Sequence, residues 1–237
     1  MNRKRNIYIW CGGALLLVLL AACDLACGGE AGAQVLLHLR TPRVLTALLA
    51  GASLALAGGQ MQSVLRNPLA DPHIMGVSAG AALGAALATM LGGHSLPGIF
   101  NGITIAAAAF AGALSAAAVI LLASRRFRTA SSLLIFGVML GFIVNALVAI
   151  LQFTSDAESL KMFYSWSAGS FSHTTIPQIA VIGIALAIGF ALAFRERKGL
   201  DIILFGDEYA RMSGADTGRI RVTAILSCCL VTAAVTA

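Results

Sequence analysis

Few residues of this 237-residue chain have a type and spacing that could do chemistry, and the most suggestive pair is charged rather than nucleophilic. Arg40 and Arg43 stand three residues apart ahead of an apolar run. That spacing suits either reception of carboxylates from another molecule or anchoring at a membrane interface. His38, His94 and His173 invite metal or haem ligation, but no two share a helical face at ligand spacing, and a lone histidine is more often structural. The five cysteines (Cys11, Cys23, Cys27 and the Cys228-Cys229 pair) form no double C-x-x-C pattern and read as small apolar packing residues. No metal site is therefore expected. None of the three lysines, Lys4, Lys161 and Lys198, follows a phosphate loop of the G-x-x-x-x-G-K type, so no nucleotide site of that kind is expected in this chain. No apolar run holds a pair of acidic residues. No catalytic residue and no resident cofactor are expected, and the chain is not read as an enzyme.

The elements that must position these residues are long apolar runs. They fall at Ile7–Ala26, Val44–Leu65, His73–Leu91, Ile103–Ala123, Leu133–Phe153, Ile176–Phe194 and Val222–Ala237, each close to the roughly 20 residues a helix needs to cross hydrocarbon. Seven crossings are predicted, the last one incomplete. With the amino terminus cytoplasmic, thirteen of the sixteen Lys and Arg residues lie inside and only Arg40, Arg43 and Lys161 outside, the distribution that the positive-inside rule selects. The chain is 59% hydrophobic and 11% charged, against a charged share of about 25% in soluble domains. It is read as an all-α, polytopic protein of the cytoplasmic (inner) membrane. Its net charge of +6 sits in short loops with no basic-aromatic stripe, so anionic lipid headgroups of the bilayer, and no nucleic acid, are the expected counter-charge. The basic start and Leu20-Ala21-Ala22-Cys23 also resemble a lipoprotein signal. Cleavage there would leave six spans, and an uncleaved first helix is expected.

The longest polar stretches, Gly28–Arg43 and Arg195–Arg221, are too short to bury a core, so residues 1–237 read as one membrane domain with a cytoplasmic segment at 195–221. Small residues recur every fourth position at Gly51, Ala55 and Gly59, at Gly76, Gly80 and Gly84, and at Gly137 and Gly141, which predicts close helix contacts. Between the second and third runs, Asn67-Pro68-Leu69-Ala70-Asp71-Pro72 predicts a rigid turn. Pro68 stops one helix, Asp71 caps the next, and Pro72 takes the first helical position, where its missing N–H costs nothing.

The stretch LRTPRVLTALLAGASLALAGGQMQSVLRNPLADPHIMGVSAGAALGA, Leu39–Ala85, closely resembles the signature of permease subunits of ATP-binding-cassette (ABC) importers for iron-siderophores, haem and cobalamin, the FecCD family. The likeness continues in Arg125–Gly141, in Trp166-Ser167-Ala168-Gly169-Ser170, and in Gly206-Asp207-Glu208-Tyr209-Ala210-Arg211-Met212-Ser213-Gly214. The resemblance implies a subunit of about ten helices that works as a homodimer. Its path runs between the two copies, a cytoplasmic ABC ATPase dimer binds ATP and Mg, and an extracytoplasmic binding protein delivers cargo.

The resemblance also implies roles for named residues. Arg40 and Arg43 match the R-x-P-R arginines that receive carboxylates of the binding protein. Gly206, Glu208, Ala210 and Gly214 belong to a segment that matches the E-x-A-x-x-x-G coupling element, whose plainer reading is a solvated connector ended by Gly214 at the C′ position. Ala130, Ser131 and Ser132 resemble the region of the inner gate. Asn145, a polar group inside a span, either lines the path or hydrogen-bonds a neighbouring helix.

Relatives run to about ten spans, so the chain is expected to be an incomplete, C-terminally truncated permease that stops at Ala237 inside its seventh. The competing class is an ion-coupled secondary transporter, which usually places ionisable groups near the midplane; no clear midplane acid or base is seen. Which chelate is carried is left open by these motifs.

Overall fold

The computed structural model describes residues 3–26, 35–91, 102–127, 129–172 and 174–237. Cys27, His94, Arg128, His173 and much of the stretch Gly28–Arg43 lie outside the described residues. The described residues form ten α-helices and no strand: α1 Arg3–Ala26, α2 Thr41–Leu65, α3 Val77–Ala86, α4 Gly102–Arg126, α5 Ala130–Thr154, α6 Ala157–Ser167, α7 Ile176–Arg195, α8 Arg197–Ile203, α9 Asp207–Met212 and α10 Thr217–Thr236. Six apolar helical stretches of 19 to 28 residues, centred on α1, α2, α4, α5, α7 and α10, are long enough to cross a bilayer.

Local chemistry sets the boundaries. Thr129 caps α5 by accepting from the Ser132 N–H, Asp156 caps α6 by accepting from the N–H groups of Glu158 and Ser159, and Asp216 caps α10 by accepting from the Arg219 N–H. At the start of α7 the Thr175 N–H donates to Gln178 Oε1 at 2.8 Å, with Pro177 in the first turn.

The third predicted crossing departs from expectation. Residues 73–91 do not form one helix: a single 3-10 turn, Pro72–Met75, is followed by Gly76 at φ +78°, then α3, then a π-helical turn at Leu87–Leu91. From Val77 to Leu91 the rise is about 22 Å at 1.5 Å per residue, short of a hydrocarbon core of about 30 Å. The turn before it matches the sequence in part. Asp71 accepts from the His73 N–H at 2.8 Å and Pro72 opens the 3-10 turn, so this pair caps that turn rather than α3. The preceding helix already ends at Leu65, ahead of Pro68. There the N–H groups of Arg66 and Asn67 return to the carbonyls of Ser63 and Gln62, and Asn67 Oδ1 accepts from the Leu69 N–H.

The core lies around α10. In α10, 61% of the apolar window is buried, against 33% at most in the other spans and none in α1. It packs on α2, α4 and α7. Ser227 of α10 joins three helices: Gln60 Nε2 of α2 donates to its Oγ at 2.9 Å, and the Oγ donates to the Gly189 carbonyl of α7 at 2.9 Å. Glycine draws α3 onto α4. A Cβ on Gly80 would stand 2.6 Å from the Gly112 carbonyl oxygen, and one on Gly84 would meet the Ala108 backbone. Gly76 faces Gly137 and Gly141 of α5. Two of the three predicted small-residue ridges are thus used within the chain. The third is open: Gly51, Ala55 and Gly59 are exposed, and a Cβ on either glycine would meet nothing.

These contacts sort the cations. The end of α2, the starts of α3, α5 and α10, and the ends of α4 and α7 share one rim, because α3 and α4 run antiparallel and α2 and α7 parallel. That rim carries Arg66, Arg125, Arg126, Arg195, Arg197, Lys198, Arg211, Arg219 and Arg221; Arg40, Arg43 and Lys161 belong to the opposite rim.

Candidate functional site

On the arginine-rich rim, α8 and α9 form a small projection between two spanning helices. Gly206 turns the chain into α9 with φ +115° and ψ 154°, a region open in practice only to glycine. At the far end, Gly214 adopts φ +80° while its N–H returns to the Arg211 carbonyl and the Ala215 N–H to the Ala210 carbonyl. This is a complete Schellman end, with the glycine at the predicted C′ position.

Between those glycines each residue of the E-x-A-x-x-x-G pattern has a separate place. Ala210 is fully buried at the foot of the projection. Glu208 is exposed. Around it stand large apolar side chains with no cover: Phe205 is 77% exposed, Tyr209 56% and Met212 88%, with the Phe205 and Tyr209 rings 5.7 Å apart. The base of the projection is held by charge. Asp207 Oδ2 lies 3.1 Å from Arg221 Nη2 of α10 and 3.8 Å from Arg66 Nη2 at the end of α2. Glu196, at the join of α7 and α8, faces Arg219 Nε at 3.5 Å, and Arg197 lies over the Phe194 ring at 4.2 Å.

On the opposite rim, Arg40 and Arg43 are engaged within the chain. Arg43 Nη2 meets Asp24 Oδ1 at 2.6 Å and its Nε donates to Oδ2 at 3.3 Å, while Arg40 Nη1 donates to the Leu25 carbonyl at 2.9 Å. Both arginines thereby grip the C-terminal end of α1, where a cation is favoured and Asp24 alone would oppose the helix dipole. The sequence reading assigned Asp24 no role. An acid in the last turn of an apolar helix was the signal that a cation stood nearby.

The gate candidates lie on α5. Ala130 opens the helix, and Ser131 and Ser132 complete its capped first turn, with Thr129 Oγ1 2.7 Å from Ser132 Oγ. Asn145 is exposed. It shares with Ser131 the side of α5 that no other described helix covers, beside Phe142 and Phe153. Among the described residues, no hydrogen bond joins Asn145 to a neighbouring helix.

The sequence and the overall helical architecture match proteins of one kind. The FecCD transport family matches residues 11–237. The chain belongs to the FecCD transport family. It is 34% identical over 224 residues to the vitamin B12 import system permease protein BtuC of Salmonella arizonae, covering 90% of this chain and 66% of that protein. The same protein of Salmonella typhimurium is also 34% identical over 224 residues, with 90% and 67% covered. The chain spans about two thirds of the length of these curated relatives. Among solved structures, a metal-chelate type ABC transporter in an inward-facing conformation superposes with a TM-score of 0.82 at 29% identity, covering 96% of this chain and 75% of that one. FecCD membership and the apolar helices make this a multi-pass membrane protein with the all-α architecture of an ABC importer permease.

Proposed function

We propose that this protein is the membrane-spanning subunit of an ABC importer that carries a metal chelate of the cobalamin, iron-siderophore or haem class inward across the cytoplasmic membrane. The observation that carries the reading is the uncovered apolar projection Phe205, Tyr209 and Met212 on the arginine-rich rim. Cations of such a rim face the cytoplasm, so the projection stands beyond the hydrocarbon. Exposed aromatics and methionine raised on a rigid stalk, rimmed by charge, suit a groove on a protein partner. The partner is the ATPase pair that binds ATP and Mg. Closure of that pair would push α9, and the spans would tilt as rigid bodies.

The remaining assignments follow from the same frame. The uncovered side of α5, with Ser131 and Asn145, faces the second permease copy across the path. Arg40 and Arg43 receive carboxylates of the extracytoplasmic binding protein, which competes with Asp24 for Arg43. The amino terminus is cytoplasmic. Reconstitution of the protein with its ATPase and binding protein in liposomes tests the reading, with radiolabelled cyanocobalamin and ferric hydroxamate as probes. ATP-dependent accumulation of one of them, insensitive to an uncoupler, is expected. Accumulation driven by an ion gradient without ATP would replace the reading with a secondary transporter.

A further inference from the structure

Asp207 sits in the middle of the projection but is turned away from its exposed tip. We propose that Asp207 is the positioning residue that fastens α9 to the ends of α2 and α10, so that a load on the tip moves both helices as one body; this rests on the docking role proposed for the tip.

Three observations carry it. First, one carboxylate oxygen, Oδ2, serves two guanidinium groups from separate segments, Arg221 at 3.1 Å and Arg66 at 3.8 Å. Arg221 is only 4% exposed, so this contact is poorly screened.

Second, Arg66 stands at φ +50° and ψ 37°, the one non-glycine residue with positive φ among the described residues. It occupies the left-handed position that closes α2, where glycine is the ordinary choice. The backbone gains nothing from arginine there. The guanidinium reaching Asp207 is what the side chain adds.

Third, the residue before Asp207 is fixed in place: Gly206 holds a dihedral pair open in practice only to glycine, and it adjoins the Arg66 guanidinium, 3.4 Å from where a Cβ would stand. With six residues and one fully buried side chain, Ala210, α9 has little packing of its own to fix its orientation. The helices at the other end of the link are the chain's most buried span and its long neighbour, so displacement of Asp207 enters the core directly.

The test uses spin labels at Leu69 and Ser213, both exposed, in a cysteine-free background. Distances are measured in the isolated protein and in the complex with its ATPase, with and without ATP. The parent should give one narrow distance in every state. Asp207→Asn should broaden it. Arg66→Gly keeps the left-handed turn with a residue at ease there, so the protein still folds, and it should broaden the distance as well, while Arg66→Lys restores much of the narrow distribution. In the complex, both broadened variants should hydrolyse ATP at the parent rate and move severalfold less cyanocobalamin or ferric hydroxamate per ATP. An unchanged narrow distance in Arg66→Gly and Asp207→Asn would overturn the proposal. Failure of the ATPase to bind the parent would overturn the docking role instead, since the distances in the isolated protein are read without any partner.

Discussion

Gln60 of α2 and Ser227 of α10 are hydrogen-bonded at 2.9 Å across 167 residues of chain, in the buried heart of the bundle. Both side chains are at most 4% exposed, and Ser227 passes the contact on to the Gly189 carbonyl. A polar contact of this kind inside a bundle contributes about 0.6 kcal/mol on average. Gln60→Leu and Ser227→Ala should each lower thermal stability in detergent, and a double-mutant cycle should return a coupling of about 0.5–1.5 kcal/mol. Full additivity would remove the bond from the folded protein.

A second expectation concerns backbone contact. Because Gly80 and Gly112 meet at distances that leave no room for a Cβ, Gly80→Val should force α3 from α4 at a cost of about 1–3 kcal/mol or more. Gly51→Ala meets open space and, being inside α2, should stabilise the protein by roughly 0.5–1 kcal/mol. Equal melting temperatures for the two variants would contradict the packing of α3 on α4.

Such contacts show what the sequence makes legible and what it hides. Apolar length is a one-dimensional property, so six spans could be read from their runs, as could the cap at Asp71 and the left-handed Gly214, whose residue types announce their roles. The break at Gly76 could not, because His73–Leu91 is apolar on both sides of it and nothing in the letters reports φ. Arg66 carried no sign of its left-handed backbone for the same reason. The two readings of Asn145, lining the path or bonding a neighbouring helix, stay open in the sequence because α5 is apolar all round, and periodicity then fails to say which side is packed. Asp207 lay in plain view between Gly206 and Glu208, but its worth depends on Arg66 and Arg221, one of them 141 positions away in the chain.

On the opposite rim, the Arg43–Asp24 pair is about two-fifths exposed on each side, so it should stabilise the fold by no more than about 1 kcal/mol. Asp24→Asn should therefore leave the protein folded and release Arg43 for the binding protein. Surface plasmon resonance should record faster association that weakens with salt. Arg43→Glu should slow it. Identical association rates for parent and both variants would remove Arg43 from docking.

The two ends of α9 predict different outcomes. Gly214→Ala forces a Cβ into a left-handed residue at a cost of about 1 kcal/mol and should loosen the projection, lowering both its protection from protease and the yield of co-purified ATPase. Glu208→Ala should leave protease resistance unchanged and reduce only the ATPase yield. If Glu208→Ala retained full ATPase yield, the exposed acid would have no place in the contact.

Cysteine substitution at Met212, the most exposed large apolar side chain of the projection, gives the sharpest measurement. A membrane-impermeant maleimide should label it in inverted vesicles, fail to label it in intact spheroplasts, and be blocked when the ATPase is bound. Labelling from the outside, or labelling indifferent to the ATPase, would contradict a cytoplasmic projection that meets the motor.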